Sequence, residues 1–98
     1  FCPVGPWVDT DIDALNVEDT DVIGRVTRGD EITTYESAAT KDMVWSFPEI
    51  IEYVSHTMTL LPGDIIATGL PVKKHELASG DTVTIAVDGL GQLRNRVH

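Results

Sequence analysis

The chain has 98 residues, which is enough for one domain at most, and its hydrophobic content of 42% is ordinary for a globular protein. Its net charge of −9 argues against nucleic acid, which binds a basic face, and against an anionic membrane surface. No stretch is long and apolar enough to predict a membrane span, and the single Cys2 cannot form an internal disulfide, so we expect a cytoplasmic protein.

The first half of the chain predicts a turn, an acidic loop and a β-hairpin. Residues 1–8 are rich in proline and glycine, and the acidic stretch that follows lacks apolar periodicity. Two β-rich runs then flank a short Gly-Asp turn, at Val22–Thr27 and Ile32–Glu36. We expect these two runs to pair as a hairpin.

The second half predicts one main helix, at about residues 47–58, and three strands. Ser46 and Glu49 have the spacing of a capping box. One helix face is apolar and should be buried against a sheet, through Phe47, Ile50, Ile51, Val54 and Met58. The strands are expected at Asp64–Thr68, Thr82–Val87 and Gln92–Val97. Because no helix separates successive strands, the sheet should be mainly antiparallel, and the fold class is α+β and β-rich.

Several local motifs are better explained as structure than as function. The acidic run that begins at Asp9 lacks the glycine and the bidentate glutamate of a calcium loop. His56, His75 and His98 have no metal-ligand spacing, and no serine-nucleophile elbow is present in the sequence. The residues alone therefore assign no catalytic side chain and no metal ligand.

Longer motifs, in family order, resemble the C-terminal part of the fumarylacetoacetate hydrolase family. The family's patterns "CP-GPW", "TSDM", "TL-PGD-I-TGTP" and "GD-V" are matched at Cys2–Trp7, Thr40–Met43, Leu60–Pro71 and Gly80–Val83. The family's closing "G-G-L-N-V" pattern is matched by the segment Gly89–Asn95. The resemblance implies the mixed, mainly antiparallel β-roll of that family.

The resemblance also implies a chemistry. Family members act on acylpyruvate-like or 2-oxo dicarboxylic acids, and a divalent ion, Mg²⁺ or Mn²⁺, polarises the carbonyl that becomes an enolate. The family's Glu-x-Glu metal ligands, its later aspartate and a site lysine belong to its N-terminal part, and this chain contains no Glu-x-Glu. The metal ligands are therefore expected outside this chain.

The segment at Thr68, Gly69 and Leu70 is the candidate substrate-binding site. Gly69 has no Cβ, so nearby backbone amides can approach a carboxylate or an enolate; the alternative is a simple strand-ending turn. The substrate-contacting threonine of the family's "TGTP" corresponds to Leu70, which cannot donate that hydrogen bond.

Two interpretations remain open from the sequence. In the first, residues 1–98 are a single partial domain of a metal-dependent hydrolase, decarboxylase or isomerase, and the chain alone is inactive. In the second, the protein is a degenerate homologue, or this part is a dimerisation or scaffold element. Under either interpretation, we expect a homodimer or association with an N-terminal fragment of the same protein.

Overall fold

A computed structural model describes residues 2–11, 13, 16–34, 38–69 and 76–98, and within them shows one sheet of five strands and one α-helix. The strands are β1 (Asp21–Arg28), β2 (Glu31–Thr34), β3 (Ala38–Ala39), β4 (Thr82–Val87) and β5 (Gly91–Arg96). A 3₁₀ turn at Thr40–Asp42 precedes helix α1 (Phe47–Thr57). The β-rich α+β fold with one main helix is confirmed.

β1 is the central strand of the sheet. It pairs with β4 along one edge and with β2 and β3 along the other, and every described pair is antiparallel. Val26 of β1 lies opposite Thr33 of β2 and Val83 of β4. The core is small because the buried hydrophobic residues of the described chain are Val26, Ala38 and Ala39.

Two short turns set the register of the hairpins. Gly29, between β1 and β2, has a φ of +59°, and Gly89, between β4 and β5, has a φ of +77°. Glycine adopts these left-handed values without the steric cost that a side chain brings, so both turns could be recognised from the sequence. The bounds of β4 match the prediction, and β5 begins and ends one residue earlier than predicted.

The predicted strand at Asp64–Thr68 is wrong. The structure has irregular backbone there, which follows a turn at residues 61–64 in which Asp64 N–H donates to the Leu61 carbonyl at 3.0 Å and Leu61 N–H donates to the Asp64 carboxylate at 2.8 Å. The segment pairs with none of the described strands, and Ile65 is 71% exposed. An apolar run becomes a strand only where another strand offers hydrogen-bonding partners.

The helix begins as predicted. The Ser46 hydroxyl oxygen accepts from Glu49 N–H at 3.4 Å, and the Glu49 carboxylate accepts from Ser46 N–H at 2.8 Å. This capping box satisfies two amides that the first turn would otherwise leave without partners. The Ser46 hydrogen bonds also hold the pKa of Glu49 below its ordinary value.

The expected burial of the helix is wrong for this chain. No residue of α1 is buried, and Ile51 on the predicted inner face is 50% exposed. The closely packed element pairs all lie within the sheet, and the radius of gyration is 14.9 Å, against about 13 Å for a compact domain of this length. The apolar face is therefore largely uncovered in the described chain.

Among the residues that the structure describes, no helix is both long and apolar enough to cross a bilayer.

Candidate functional site

A cavity of about 210 Å³ lies between the start of α1 and the Thr68–Gly69 segment. We call it the site cavity. It is lined by Asp42, Met43, Val44, Trp45, Ile50, Thr68 and Gly69. The segment around Asp42 and the segment around Thr68, which are about 25 residues apart in the sequence, meet at this cavity. Each of these segments contains one of the motifs described above.

Paired threonines anchor one wall of the site cavity. Thr40 N–H donates to the Thr20 carbonyl at 2.9 Å, and Thr20 N–H donates back to the Thr40 hydroxyl oxygen at 2.9 Å. The Thr40 hydroxyl donates in turn to the Val17 carbonyl at 2.8 Å. Because Thr20 is buried, these bonds are shielded from water and fix the 3₁₀ turn that leads into Asp42.

A surface ion pair lies beside this turn. Lys41 Nζ is 2.9 Å from an Asp19 carboxylate oxygen, and both side chains are more than half exposed. The hydrogen bond to Asp19 holds the pKa of Lys41 above its ordinary value. Such an exposed pair adds little stability, but it directs the Lys41 ammonium group toward Asp19.

The lining of the site cavity has two chemical characters. Met43, Val44, Trp45 and Ile50 form an apolar wall, whereas Asp42, Thr68 and Gly69 contribute polar groups. An apolar wall with a few polar groups is typical of sites for small organic molecules. The volume exceeds the roughly 150 Å³ of an apolar cavity that holds benzene, so a small acid or one end of a larger one fits.

Gly69 is required by its backbone conformation. Its φ is +85°, a value that side-chain-bearing residues rarely adopt, and no described atom outside its chain neighbours lies within 4 Å of the place where a Cβ would stand. The described residues therefore leave space beside Gly69. This is compatible with the expected approach of a ligand to the backbone near Gly69, which stays a prediction.

An ion pair between Arg28 and Asp81 holds the chain just before β4, the strand that follows the Thr68–Gly69 segment in the sequence. Arg28 donates from Nε and Nη2 to the two Asp81 carboxylate oxygens at 2.8 and 2.7 Å, and Ala78 N–H donates to the same carboxylate at 2.8 Å. Asp81 is 1% exposed. The Arg28 hydrogen bonds, with that of Ala78, lower the pKa of Asp81 to about 2. Bidentate geometry of this kind gives a strong and directional ion pair.

Of the three predicted site residues, the structure brings Thr68 and Gly69 into the site cavity, and Leu70 lies outside the described residues. Sequence reasoning missed the opposite wall, Asp42–Trp45. The signal was present, since Thr40–Met43 matches a family motif, but spacing along the chain could not place that motif beside Thr68. Ile50 was assigned to helix burial and instead lines the cavity.

The described residues do not provide a metal site. No group of three or more His, Cys, Asp or Glu side chains within them is arranged to hold an ion. Asp42 is one carboxylate beside a cavity, whereas Mg²⁺ and Mn²⁺ require several oxygen ligands in a near-octahedral arrangement. The residues present therefore do not fit a metal by themselves.

A sequence model of the family described as "Fumarylacetoacetate (FAA) hydrolase C-terminal" matches residues 1–98. The chain belongs to the fumarylacetoacetate hydrolase family. The resemblance read from the motifs is confirmed, and the sheet and helix described above are those of the family's C-terminal part.

Curated relatives support this assignment. Protein Rv2993c of Mycobacterium tuberculosis is 41% identical over 97 residues, which cover 99% of this chain and 35% of that protein. The 4-hydroxyphenylacetate degradation bifunctional isomerase/decarboxylase of Salmonella dublin is 34% identical over 95 residues, covering 97% of this chain and 21% of that protein. The chain spans about a third of the length of the first relative and about a fifth of the length of the second.

A solved structure of the family contains both a metal and a small acid. Maleylpyruvate hydrolase from Sphingobium sp. SYK-6, in complex with manganese(II) ion and pyruvate, superposes with a TM-score of 0.82 at 39% identity. The match covers 99% of this chain and 35% of that one. The family thus includes hydrolases and isomerase/decarboxylases, and at least one member binds a divalent metal ion.

Proposed function

We propose that this chain is the C-terminal part of a divalent-metal-dependent enzyme that acts on acylpyruvate-like or 2-oxo dicarboxylic acids. The reaction is hydrolysis of a C–C bond, decarboxylation or isomerisation. In the hydrolytic case, water is added across the bond between the acyl group and pyruvate, which releases pyruvate and a carboxylic acid. Residues 1–98 form one partial domain of that enzyme.

The observation that carries the proposal is the meeting of two family motifs in one cavity. Thr68 and Gly69 face the segment that ends in Asp42 and Met43, across a space that fits a small acid. The Thr68 hydroxyl is a hydrogen-bond donor, and the described residues leave space for a ligand beside the backbone of Gly69. In this role, the two residues bind and orient the oxo-acid.

The metal ion is assigned to residues outside this chain. Mg²⁺ or Mn²⁺, when bound, would polarise the substrate carbonyl and stabilise the enolate. What this chain supplies is one side of the substrate cavity, held by the Thr20–Thr40 bonds and the start of α1. We accordingly expect the isolated chain to be inactive and the complete protein to be a cytoplasmic enzyme.

The uncovered helix face supports a second part of the proposal. Ile51 and Met58 on this face are 50% and 59% exposed, and exposed apolar surface of this kind marks sites of association. The remainder of the same protein, or a second copy in a homodimer, would cover it. If the complete protein proves inactive, this contact would be the function of the chain, as a scaffold element.

The test of the substrate role is a Thr68→Val substitution in the complete gene product. Valine keeps the shape of threonine and removes the hydroxyl, so a lost hydrogen bond to a substrate carboxylate should lower kcat/KM by about tenfold to a hundredfold. Thr59→Val is the matched control, because Thr59 is exposed and lies outside the site cavity. Equal kinetics of the two variants on acetylpyruvate, fumarylpyruvate and oxaloacetate would reject the role of Thr68.

A further inference from the structure

One wall of the site cavity, the segment Asp42–Trp45, is held mainly at its two ends. Val44 and Trp45 are 89% and 63% exposed, so the described chain covers little of either side chain. At the far end of this wall, the capping box fixes the start of α1. At the near end, the Met43 N–H donates to the Thr40 carbonyl at 3.1 Å, within the 3₁₀ turn. The position of the wall therefore depends on where Thr40 is held.

The Thr40 hydroxyl joins this turn to the loop that precedes β1. It accepts from the Thr20 N–H at 2.9 Å and donates to the Val17 carbonyl at 2.8 Å. A hydroxyl group can accept and donate at the same time, whereas a methyl group can do neither. Thr40 directly follows β3, whose Ala39 pairs with Asp21 of β1. The hydroxyl therefore fastens the turn to the sheet and to the loop together.

We propose that Thr40 is a positioning residue for the substrate, and that its hydroxyl sets the distance between the Asp42–Trp45 wall and Thr68 without touching the substrate. Among the described residues, those that line the site cavity do not include Thr40. Removal of the hydroxyl deprives the Thr20 N–H and the Val17 carbonyl of this partner, and a shift of the turn or the entry of water must replace it. This inference rests on the proposed function and adds a residue outside the cavity that controls substrate binding.

The substitution Thr40→Val keeps the shape of the side chain and removes both hydrogen bonds. A displacement of about 1 Å in a binding site can lower a reaction rate about a hundredfold. We therefore expect KM to rise about tenfold and kcat/KM to fall about tenfold to a hundredfold. KM is the decisive quantity, because it does not depend on how much of the protein is folded.

The experiment measures KM and kcat of the complete gene product with Mg²⁺ or Mn²⁺. The substrate is whichever of acetylpyruvate, fumarylpyruvate and oxaloacetate the unmodified protein converts best. Thr40→Ser retains the hydroxyl and should keep KM within about twofold of the unmodified value.

Two controls separate positioning from a general loss of structure. Thr59→Val makes the same chemical change at an exposed threonine outside the site cavity. Val26→Ala removes buried methyl groups from the sheet and so lowers stability, but Val26 is not among the described residues that line the cavity. Both controls should leave KM unchanged.

The outcomes separate the inference from the proposed function. The inference is overturned if Thr40→Val leaves KM within about twofold of the unmodified value, or if Thr40→Ser or Val26→Ala raises KM as much as Thr40→Val does. If Thr40→Val does not fold, Thr40→Cys takes its place, because a thiol is a weak donor and a weak acceptor: KM should rise about threefold over that of Thr40→Ser, and equal values would overturn the inference. In each of these cases, conversion of the oxo-acid leaves the proposed function standing. No conversion of any of the three oxo-acids by the unmodified protein would overturn both.

Discussion

The substitution Val26→Ala tests whether the sheet that supports the site depends on its central strand. Val26 is 6% exposed and lies opposite Thr33 and Val83 on the two neighbouring strands. The change removes two buried methyl groups, worth about 0.8 kcal/mol each by transfer. The space left behind adds to this cost, so we expect the free energy of unfolding to fall by roughly 1.5–3 kcal/mol.

The matched control for Val26→Ala is Ile32→Ala on the neighbouring strand β2. Ile32 is larger than Val26 but 65% exposed, so its truncation should change the free energy of unfolding by less than about 0.5 kcal/mol. Urea unfolding of the complete gene product, followed by tryptophan fluorescence, measures both variants. The reasoning is refuted if Val26→Ala costs no more than the control. A large cost for Ile32→Ala would show instead that another part of the protein covers β2.

Three further predictions concern the ion pair, the site segment and the uncovered helix. Because Arg28 lowers the pKa of Asp81 to about 2 from an ordinary 3.8, the folded protein gains stability that is fully present above about pH 4 and is lost as the pH falls toward 2. Asp81→Asn should remove this part of the acid dependence in unfolding curves, whereas Asp30→Asn at the β1–β2 turn should retain it. Leu70→Thr in the complete gene product should raise kcat/KM about tenfold to a hundredfold, since a hydroxyl there can bond a substrate carboxylate; unchanged kinetics on acetylpyruvate, fumarylpyruvate and oxaloacetate would mean that position 70 does not face the site. The isolated chain should associate with itself or with an N-terminal fragment, because Ile51 and Met58 on the apolar helix face are exposed; a monodisperse monomer in light scattering, with no binding to that fragment, would contradict this.

The sequence predicted those parts of the fold that short-range interactions determine. The two hairpin turns were recognisable because glycine is needed at positive φ, as at Gly29 and Gly89. The helix start was recognisable because the Ser46–Glu49 capping box is a contact across three residues. In each case, the interacting residues lie within a few positions of each other in the sequence.

The wrong predictions concern segments for which the described chain contains neither a neighbouring strand nor a surface that covers them. The run at Asp64–Thr68 has the apolar residues of a strand but no strand beside it in the described chain. The face of α1 has the spacing of a buried helix, but the surface that would cover it is not among the described residues. An apolar pattern predicts that a surface becomes buried, but it does not identify the part of the protein that covers that surface.

The candidate site likewise contains residues that the sequence predicted and residues that it did not predict. Thr68 and Gly69 were selected through a family motif, and they do line a cavity. Asp42 and Trp45 meet them only because the Thr20–Thr40 bonds and the 3₁₀ turn place their segment there. That arrangement depends on contacts between residues about 20 positions apart, which no local pattern reveals.

The central claim is that this chain supplies the substrate cavity of an oxo-acid enzyme whose metal ligands lie outside it. Metal-dependent conversion of acetylpyruvate, fumarylpyruvate or oxaloacetate tests this most directly, measured on the complete gene product and on the purified 98-residue chain. The account predicts conversion of at least one of these oxo-acids by the complete protein with Mg²⁺ or Mn²⁺, loss of turnover on chelation, recovery when the metal is restored, and no turnover by the chain alone. Metal-dependent turnover by the chain alone would contradict the account, as would a folded complete protein that converts none of the three oxo-acids with either metal.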